Sequence, residues 1–231
     1  MTDNNTRTQH IITASPDVEK LMSLGTTVFV KKDTVFMKAE EPSEYCYIVK
    51  EGKVVSTETF SNGKTRNGLI MTEGSMIGEP FVLLGEKCPT NFLAMEDCQL
   101  VRINRDTLIN YLNDNPHYYK IIVDSISKKL LSTMNEVRQM AGCNVTWRIC
   151  NLLLVFAHHY GVNFNGKICI NTNISQQDIA HLLYVNRITV VRVFKRMQSE
   201  GLIERIGKMY YITDMNAFMT FMEKAAYSDN I

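Results

Sequence analysis

The sequence predicts an α+β chain in which a small all-β barrel or roll is followed by one long helix and then by a helix-turn-helix with a hairpin. Three observations carry this prediction. Residues 26–104 consist of short β-rich pieces separated by turn signals. Residues 116–141 carry an apolar stripe at helical spacing. Residues 175–213 contain two amphipathic helical segments joined by a short turn and followed at once by a hairpin pattern.

The strand region breaks into pieces that are rich in β-branched and aromatic residues. Clusters of charged residues, Gly, Pro and Asn separate them, and Asn62-Gly63 between two alternating runs predicts a hairpin. Several short strands at this spacing indicate a small all-β barrel or roll. The pieces are TTVFVKK, TVFMKA, YCYIVKEG, KVVSTETF, TRNGLIMT, NFLAME and QLVRIN.

A helical region follows the strands. A short helix is predicted over residues 106–113, and one long helix over residues 116–141 with Pro116 in its first turn. The apolar stripe of the long helix allows two interpretations: the helix packs on the β-domain only, or it also pairs with its copy in a dimer. The stripe consists of Val123, Ile126, Leu130, Met134, Val137 and Ala141.

The last part of the chain forms a second predicted domain. Gly142-Cys143-Asn144 breaks the long helix and is a candidate hinge. Residues 145–160 are then predicted to be helical, and KICINT at 167–172 to be a short strand. Ser175 begins the next helix, because Gln176, Gln177 and Asp178 supply capping chemistry in its first turn.

The helix at residues 187–200 has two distinct faces. One face is apolar and the other carries basic side chains, and a hairpin with Gly207-Lys208 at its tip follows directly. A basic outward face beside a hairpin indicates a winged helix-turn-helix that binds DNA. The apolar face consists of Val190, Val193, Phe194 and Met197.

Composition limits the classes of protein to which the chain can belong. The chain has 231 residues, 45% hydrophobic and 21% charged, with a net charge of +1, so a basic patch must be local. The longest apolar runs are far shorter than the roughly 20 residues of a membrane span, and the polar N-terminus lacks a signal-peptide core. We therefore expect a cytoplasmic protein without a membrane partner.

The six cysteines form no C-x-x-C pair. We therefore expect most of them to be small buried hydrophobic residues, and we expect no metal or other cofactor.

Four stretches together resemble the Crp/Fnr family of bacterial transcription regulators. They are YIVKEGKV (47–54), GSMIGE (74–79), VTWRICNLLL (145–154) and SQQDIAHLLYVNRITVVRVFKRMQSEGLI (175–203). The resemblance implies a β-roll sensor domain at 1–115 of the cyclic-nucleotide-binding type, a double-stranded β-helix. It further implies a dimerisation helix at 116–141 and a winged helix-turn-helix at 142–231.

The same resemblance implies a homodimer, not an enzyme, that binds a two-fold symmetric site on double-stranded DNA and works with RNA polymerase. Family members place base-contacting and phosphate-contacting arginines where Arg187 and Arg192 stand, and Thr189 matches a position that meets a phosphate. The remaining implied backbone contacts are Gln176, Gln177, Lys195 and Lys208.

The recognition helix departs from the best-known branch at two positions. Ile188 stands where many relatives have a glutamate, and Val191 where they often have a small or hydroxyl residue. Apolar side chains prefer the thymine methyl, so we expect an operator rich in A·T pairs. A branch that regulates reductive dehalogenation has a similar recognition helix.

The sensor region departs from the cyclic-nucleotide binders of the family, which hold the phosphate with an arginine-serine pair. Here Cys88 or Pro89 occupies the arginine position and Thr90 stands for the serine, so we expect an effector other than cyclic AMP, or none. A cyclic-nucleotide response stays an alternative. A candidate effector pocket comprises Gly78, Glu79, Thr90, Lys129, Thr133 and Met134, unless these residues only pack the roll.

Two other classes of protein compete with a DNA-binding regulator. A cupin-like enzyme would need a metal cluster on its strands, but all five histidines lie outside the strand region. A regulatory module that acts on a protein partner would leave the basic second helix and the wing unexplained.

Overall fold

The computed structural model describes residues 11–14, 17–59 and 65–227. These residues form two compact units, the first reaching Ser132 and the second starting at Thr133. The boundary therefore falls inside the long helix rather than at either end of it.

The first unit is a roll of two sheets. One has five strands in the order β1-β6-β5-β8-β3, and the other has four in the order β2-β9-β4-β7. All seven predicted strand pieces are confirmed, while β1, β7, α1 and α2 escaped prediction because each is too short for a periodic pattern. The elements are β1 (Ile11–Ile12), α1 (Val18–Met22), β2 (Thr26–Val30), β3 (Val35–Met37), β4 (Tyr45–Glu51), β5 (Val54–Thr59), β6 (Thr65–Met71), β7 (Met76–Ile77), α2 (Glu79–Leu84), β8 (Asn91–Ala94), β9 (Cys98–Asn104) and α3 (Arg105–Asp114).

Apolar side chains from both sheets fill the roll. Val54, Met71 and Leu100 are buried in one cluster, and a second cluster under α3 buries Leu108 and Leu112. The predicted turn at Asn62-Gly63 lies outside the described residues, but the strands that flank it pair antiparallel, with Thr59 opposite Thr65.

The long helix α4 spans Tyr119–Gly142 and is preceded by a 3₁₀ turn at Pro116–Tyr118. The prediction started the helix at Pro116, three residues too early. Pro116 opens the 3₁₀ turn instead, at a position where an N–H would have no helical partner. Ile121 and Ile122 are buried in the cluster under α3 and anchor the first turns of α4.

The second unit combines helices with a four-stranded antiparallel sheet of order β10-β11-β13-β12. The helix-turn-helix and its hairpin are present as predicted. Strand β10 was missed because it has only four residues, too few for the alternation of Val162 and Phe164 to stand out, and α8 was not predicted. The elements are α5 (Val145–Tyr160), β10 (Gly161–Phe164), β11 (Lys167–Ile170), α6 (Gln176–Leu183), α7 (Arg187–Ser199), β12 (Ile203–Ile206), β13 (Met209–Ile212) and α8 (Met215–Tyr227).

All six cysteines are free thiols. Cys46, Cys88, Cys98 and Cys150 are buried, as expected of small hydrophobes, and burial raises the pKa of the Cys150 thiol to about 12. Within residues 11–14, 17–59 and 65–227, no cluster of His, Cys, Asp or Glu could hold a metal ion. Across the part of the chain that the structure describes, no helix combines the length and apolarity that a membrane crossing demands.

Candidate nucleic-acid interface

Two side-chain caps and one left-handed residue fix the geometry of the helix-turn-helix. Ser175 and Asp178 form a capping box at the start of α6, with the Ser175 hydroxyl accepting the Asp178 N–H at 3.1 Å. Tyr184 ends α6 in the left-handed conformation (φ 54°), which turns the chain toward α7. The Asn186 side chain then accepts the Ile188 N–H at 2.8 Å and starts α7.

Helix α7 rests on the second unit through the predicted apolar face. Val190, Phe194 and Met197 are fully buried, and Val193 is nearly so. The Phe194 ring meets the Tyr210 ring edge-to-face at 4.9 Å, which fastens α7 to strand β13 of the hairpin. This packing fixes which side of α7 faces outward.

The outward side of α7 begins with Ile188, which is 60% exposed. Arg192, Lys195 and Ser199 follow at i+4, i+7 and i+11, so these four residues form one exposed row. The row places an aliphatic side chain in line with two cations. Throughout, we call this row the reading face.

The remaining predicted residues of α7 flank the reading face. Arg187 is exposed at the start of the helix, whereas Thr189 and Val191 are half-buried at its edges. The structure therefore separates the two apolar candidates, because Ile188 is 60% exposed whereas Val191 is half-buried.

The start of α6 and the hairpin tip supply the other predicted side chains. Gln176 is half-buried, and Gln177 is exposed and hydrogen-bonded to His181. Gly207 takes a positive φ of 60° at the tip, which leaves Lys208 exposed beside it.

Sequence reasoning missed two exposed residues next to the hairpin tip, Arg205 and Ile206. Arg205 donates from Nε to the Gly207 carbonyl oxygen at 3.2 Å and lies over the Tyr210 ring. The signal was present in IERIGK, where an arginine and an aliphatic residue directly precede the tip.

Arg196 is a basic residue of α7 that lies outside the reading face. Its Nε lies 2.9 Å from the Glu200 carboxylate, and its guanidinium carbon lies 5.1 Å from the centre of the Phe221 ring. The ring contact places Arg196 against α8.

In the roll, the structure joins two of the predicted pocket residues. The Glu79 carboxylate is fully buried, forms an ion pair with Lys129 and accepts the Ser125 hydroxyl at 2.7 Å. Lys129 also donates to the Met76 carbonyl oxygen at 2.8 Å. Lys129 is thus already neutralised inside the roll.

The other predicted pocket residues have separate surroundings. Gly78 precedes α2 with a φ of 83°, and a Cβ there would lie 2.9 Å from the Met37 methyl group, so this position requires glycine. Thr90 is half-buried, and its carbonyl oxygen accepts the Cys88 thiol at 3.1 Å. Thr133 and Met134 are exposed on the part of α4 that belongs to the second unit.

Along α4, most of the predicted apolar stripe faces outward. Val123, Leu130, Met134 and Val137 are each more than half exposed. Ile126 differs, because it packs against the core cluster under α3. A single chain therefore leaves a continuous apolar strip uncovered along α4.

Comparison with known proteins agrees with this architecture. Residues 27–115 match the cyclic nucleotide-binding domain, and residues 148–221 match the Crp-like helix-turn-helix domain. The CRP-like cAMP-activated global transcriptional regulator of Mycobacterium tuberculosis is 25% identical over 186 residues, which cover 80% of this chain and 83% of that protein.

Two solved structures share the fold. The c-di-GMP responsive global regulator CLP of Xanthomonas campestris aligns with a TM-score of 0.77 at 20% identity, covering 86% of this chain and 98% of that one. CprK complexed with OCPA aligns with a TM-score of 0.71 at 17% identity, covering 90% of this chain and 94% of that one.

A nucleotide-binding-type roll followed by a helix-turn-helix with an exposed basic face defines a class, the DNA-binding transcription regulators. Within that class, the chain belongs to the Crp/Fnr family. The α+β fold class and the family predicted from GSMIGE and the helix-turn-helix are confirmed. The chain is a regulator and not an enzyme, which decides against the cupin-like alternative.

Proposed function

We propose that the chain acts as a homodimer that reads an A·T-rich, two-fold symmetric operator through the reading face of α7. The observation that carries this proposal is the position of Ile188 at the N-terminal end of that face, 60% exposed and in line with Arg192 and Lys195. The two cations attract the DNA backbone, while the aliphatic side chain meets the base edges.

Ile188 gives the reading face its base preference. It offers no hydrogen bond to a base, so its favourable partner in the major groove is the thymine methyl group. A glutamate at the same position would instead accept a hydrogen bond from cytosine N4. Arg187 is exposed at the start of α7 and can donate two hydrogen bonds to guanine. The A·T preference therefore applies only to the base pairs that Ile188 and Val191 reach.

The exposed strip on α4 supports the homodimer. Contiguous apolar surface of this kind is uncommon on a monomer and marks an interface. Val123, Leu130, Met134 and Val137 recur at the spacing of a coiled-coil seam, so a second copy of α4 is the partner that fits. In such a dimer the two copies of α7 would read half-sites about 34 Å apart.

The effector is a small molecule other than cyclic AMP. A buried phosphate requires a fixed cation, and Cys88 and Pro89 supply none. Lys129 cannot substitute for it, because its charge is already paired with Glu79. The alternatives are a regulator without an effector and a cyclic-nucleotide-responsive regulator. We also propose RNA polymerase as a partner and the cytoplasm as the location.

A DNA shift assay at graded salt concentrations tests the DNA-binding part of this proposal. We expect shifted genomic fragments whose affinity falls steeply with salt, because several lysines and arginines displace counterions. Lys208→Ala is the comparison variant, because it removes one phosphate contact. It should weaken binding to all DNA sequences equally and lower the slope of log affinity against log salt by about one counterion. Absence of any shift at low salt would contradict the proposal.

Native mass spectrometry of the purified chain tests the dimer and the effector together. We expect a dimer mass with and without DNA, and a retained or added small molecule that is not cyclic AMP. A monomer at micromolar concentration would contradict the dimer. Saturable cyclic AMP binding would favour the alternative response.

A further inference from the structure

The second unit contains a cleft on the side of α7 that faces α8. Its volume is about 510 Å³, which lies in the range of small-molecule sites, roughly 300–1,000 Å³. Its walls are the first turn of α5, the last turn of α7 and one face of α8. The lining residues used below are Thr146, Arg196, Leu202, Thr220, Phe221 and Lys224.

The floor of the cleft is apolar. Leu202 and Phe221 are each buried to more than nine-tenths, as is Ala225 beside them. The α8 residues Phe221 and Ala225 are four positions apart, so they share one face of that helix. A ligand seated here would rest against the exposed edge of aliphatic and aromatic carbon.

The rim is polar and carries a net positive charge. Arg196 and Glu200 neutralise each other through a 2.9 Å ion pair, which leaves Lys224 as the uncompensated charge of the lining. Lys224 is exposed, and no ion pair to it is found among the described residues. Thr146 and Thr220 add two hydroxyl groups to the rim.

We propose that this cleft binds a small amphipathic monoanion, an organic carboxylate whose apolar body lies on Leu202 and Phe221 and whose carboxylate pairs with Lys224 and the outer nitrogens of Arg196. A neutral ligand would leave Lys224 unused, and a dianion would meet the Glu200 carboxylate. One negative charge on an apolar body is the chemistry that matches the lining.

The site uses Arg196 and Glu200, and neither side chain belongs to the reading face. Ile188 and Glu200 are twelve residues apart, which corresponds to about 18 Å along the helix. The anion therefore does not compete with DNA for the same side chains. The proposal stands independently of the operator, since it needs only the cleft and its charges.

Calorimetric titration of the full chain with octanoate, against octanamide as the uncharged match, tests the site. We expect one saturable octanoate site per chain and markedly weaker octanamide binding. Lys224→Ala should weaken octanoate roughly threefold to tenfold, since it removes an exposed charge partner. Lys50→Ala, an exposed lysine on β4, should leave the affinity unchanged.

A second variant tests the cavity rather than the charge. Ala217 lines the cleft and is exposed, so Ala217→Trp should fill the space and abolish octanoate binding while circular dichroism shows an intact fold. The proposal is overturned if octanamide binds as well as octanoate, or if Lys224→Ala and Ala217→Trp both retain wild-type affinity. The proposal is also overturned if no saturable heat of binding is seen up to about 5 mM octanoate. That result would mean a binding free energy weaker than about −3 kcal/mol.

Discussion

Replacing Lys129 by methionine removes the cation that neutralises the buried Glu79 carboxylate. Breaking a buried ion pair from one side costs about 3–5 kcal/mol of unfolding free energy, because the remaining charge stays in the interior without compensation. Since the Ser125 hydroxyl still donates to Glu79 at 2.7 Å, we place the loss near the lower bound, about 3 kcal/mol.

Urea unfolding followed by far-ultraviolet circular dichroism measures this loss at one fixed protein concentration. With a urea dependence of about 2 kcal/mol per molar, the midpoint should fall by roughly 1.5 M. Lys128→Met is the matched control, because Lys128 pairs with Asp124 at 2.9 Å on a partly exposed surface. We expect the control to lose less than about 1 kcal/mol.

The double variant Glu79→Gln/Lys129→Met removes both charges and should recover much of the stability lost by Lys129→Met alone. A Lys129→Met loss no larger than that of the Lys128→Met control would refute the reasoning. It would mean that Lys129 is not held by Glu79 and is available to an effector.

Three further perturbations have expected outcomes. Val137→Glu places a charge on the exposed strip of α4 and should shift the sedimentation coefficient from that of a dimer to that of a monomer. A variant that stays dimeric would show that α4 does not form the interface. Asn186→Ala removes the cap of α7 and should lower the unfolding free energy by about 0.5–2 kcal/mol; an unchanged urea midpoint would contradict that role. Burial, and secondarily the charge of His158, lower the pKa of His159 below its usual value, so the unfolded chain binds the proton more readily. Stability should therefore fall as the pH drops through about 6.5, and His159→Asn should flatten that dependence; an equal slope in both proteins would argue against His159.

Local patterns were enough to predict the elements that are long or alternating. Hydrophobic periodicity and capping residues such as Ser175 were sufficient to predict the seven strand pieces, α5 and the two helices of the helix-turn-helix. Two-residue strands such as β7 are too short to show a period, and the four residues of β10 contain only one apolar repeat, Val162 and Phe164. These elements form because neighbouring strands supply hydrogen bonds, which a single-segment pattern does not contain.

In the candidate site too, local patterns were enough for the helices but not for contacts between distant residues. The amphipathic pattern of α7 assigned its buried and outward faces, and Asn186 marked its start. The pairing of Glu79 with Lys129 was not predictable, since fifty residues separate the two along the chain. The Arg196–Glu200 ion pair, by contrast, was predictable from sequence, because the two residues are four positions apart and so share one side of a helix.

Selection of bound DNA from a random pool, followed by sequencing, tests the central claim most directly. The account predicts two inverted half-sites centred about 10 base pairs apart, with an A·T pair opposite residue 188. Ile188→Glu should move that position toward C·G, a change worth roughly 1–3 kcal/mol for one base pair. A wild-type pool dominated by C·G opposite residue 188, or a pool without inverted half-sites, would contradict the account.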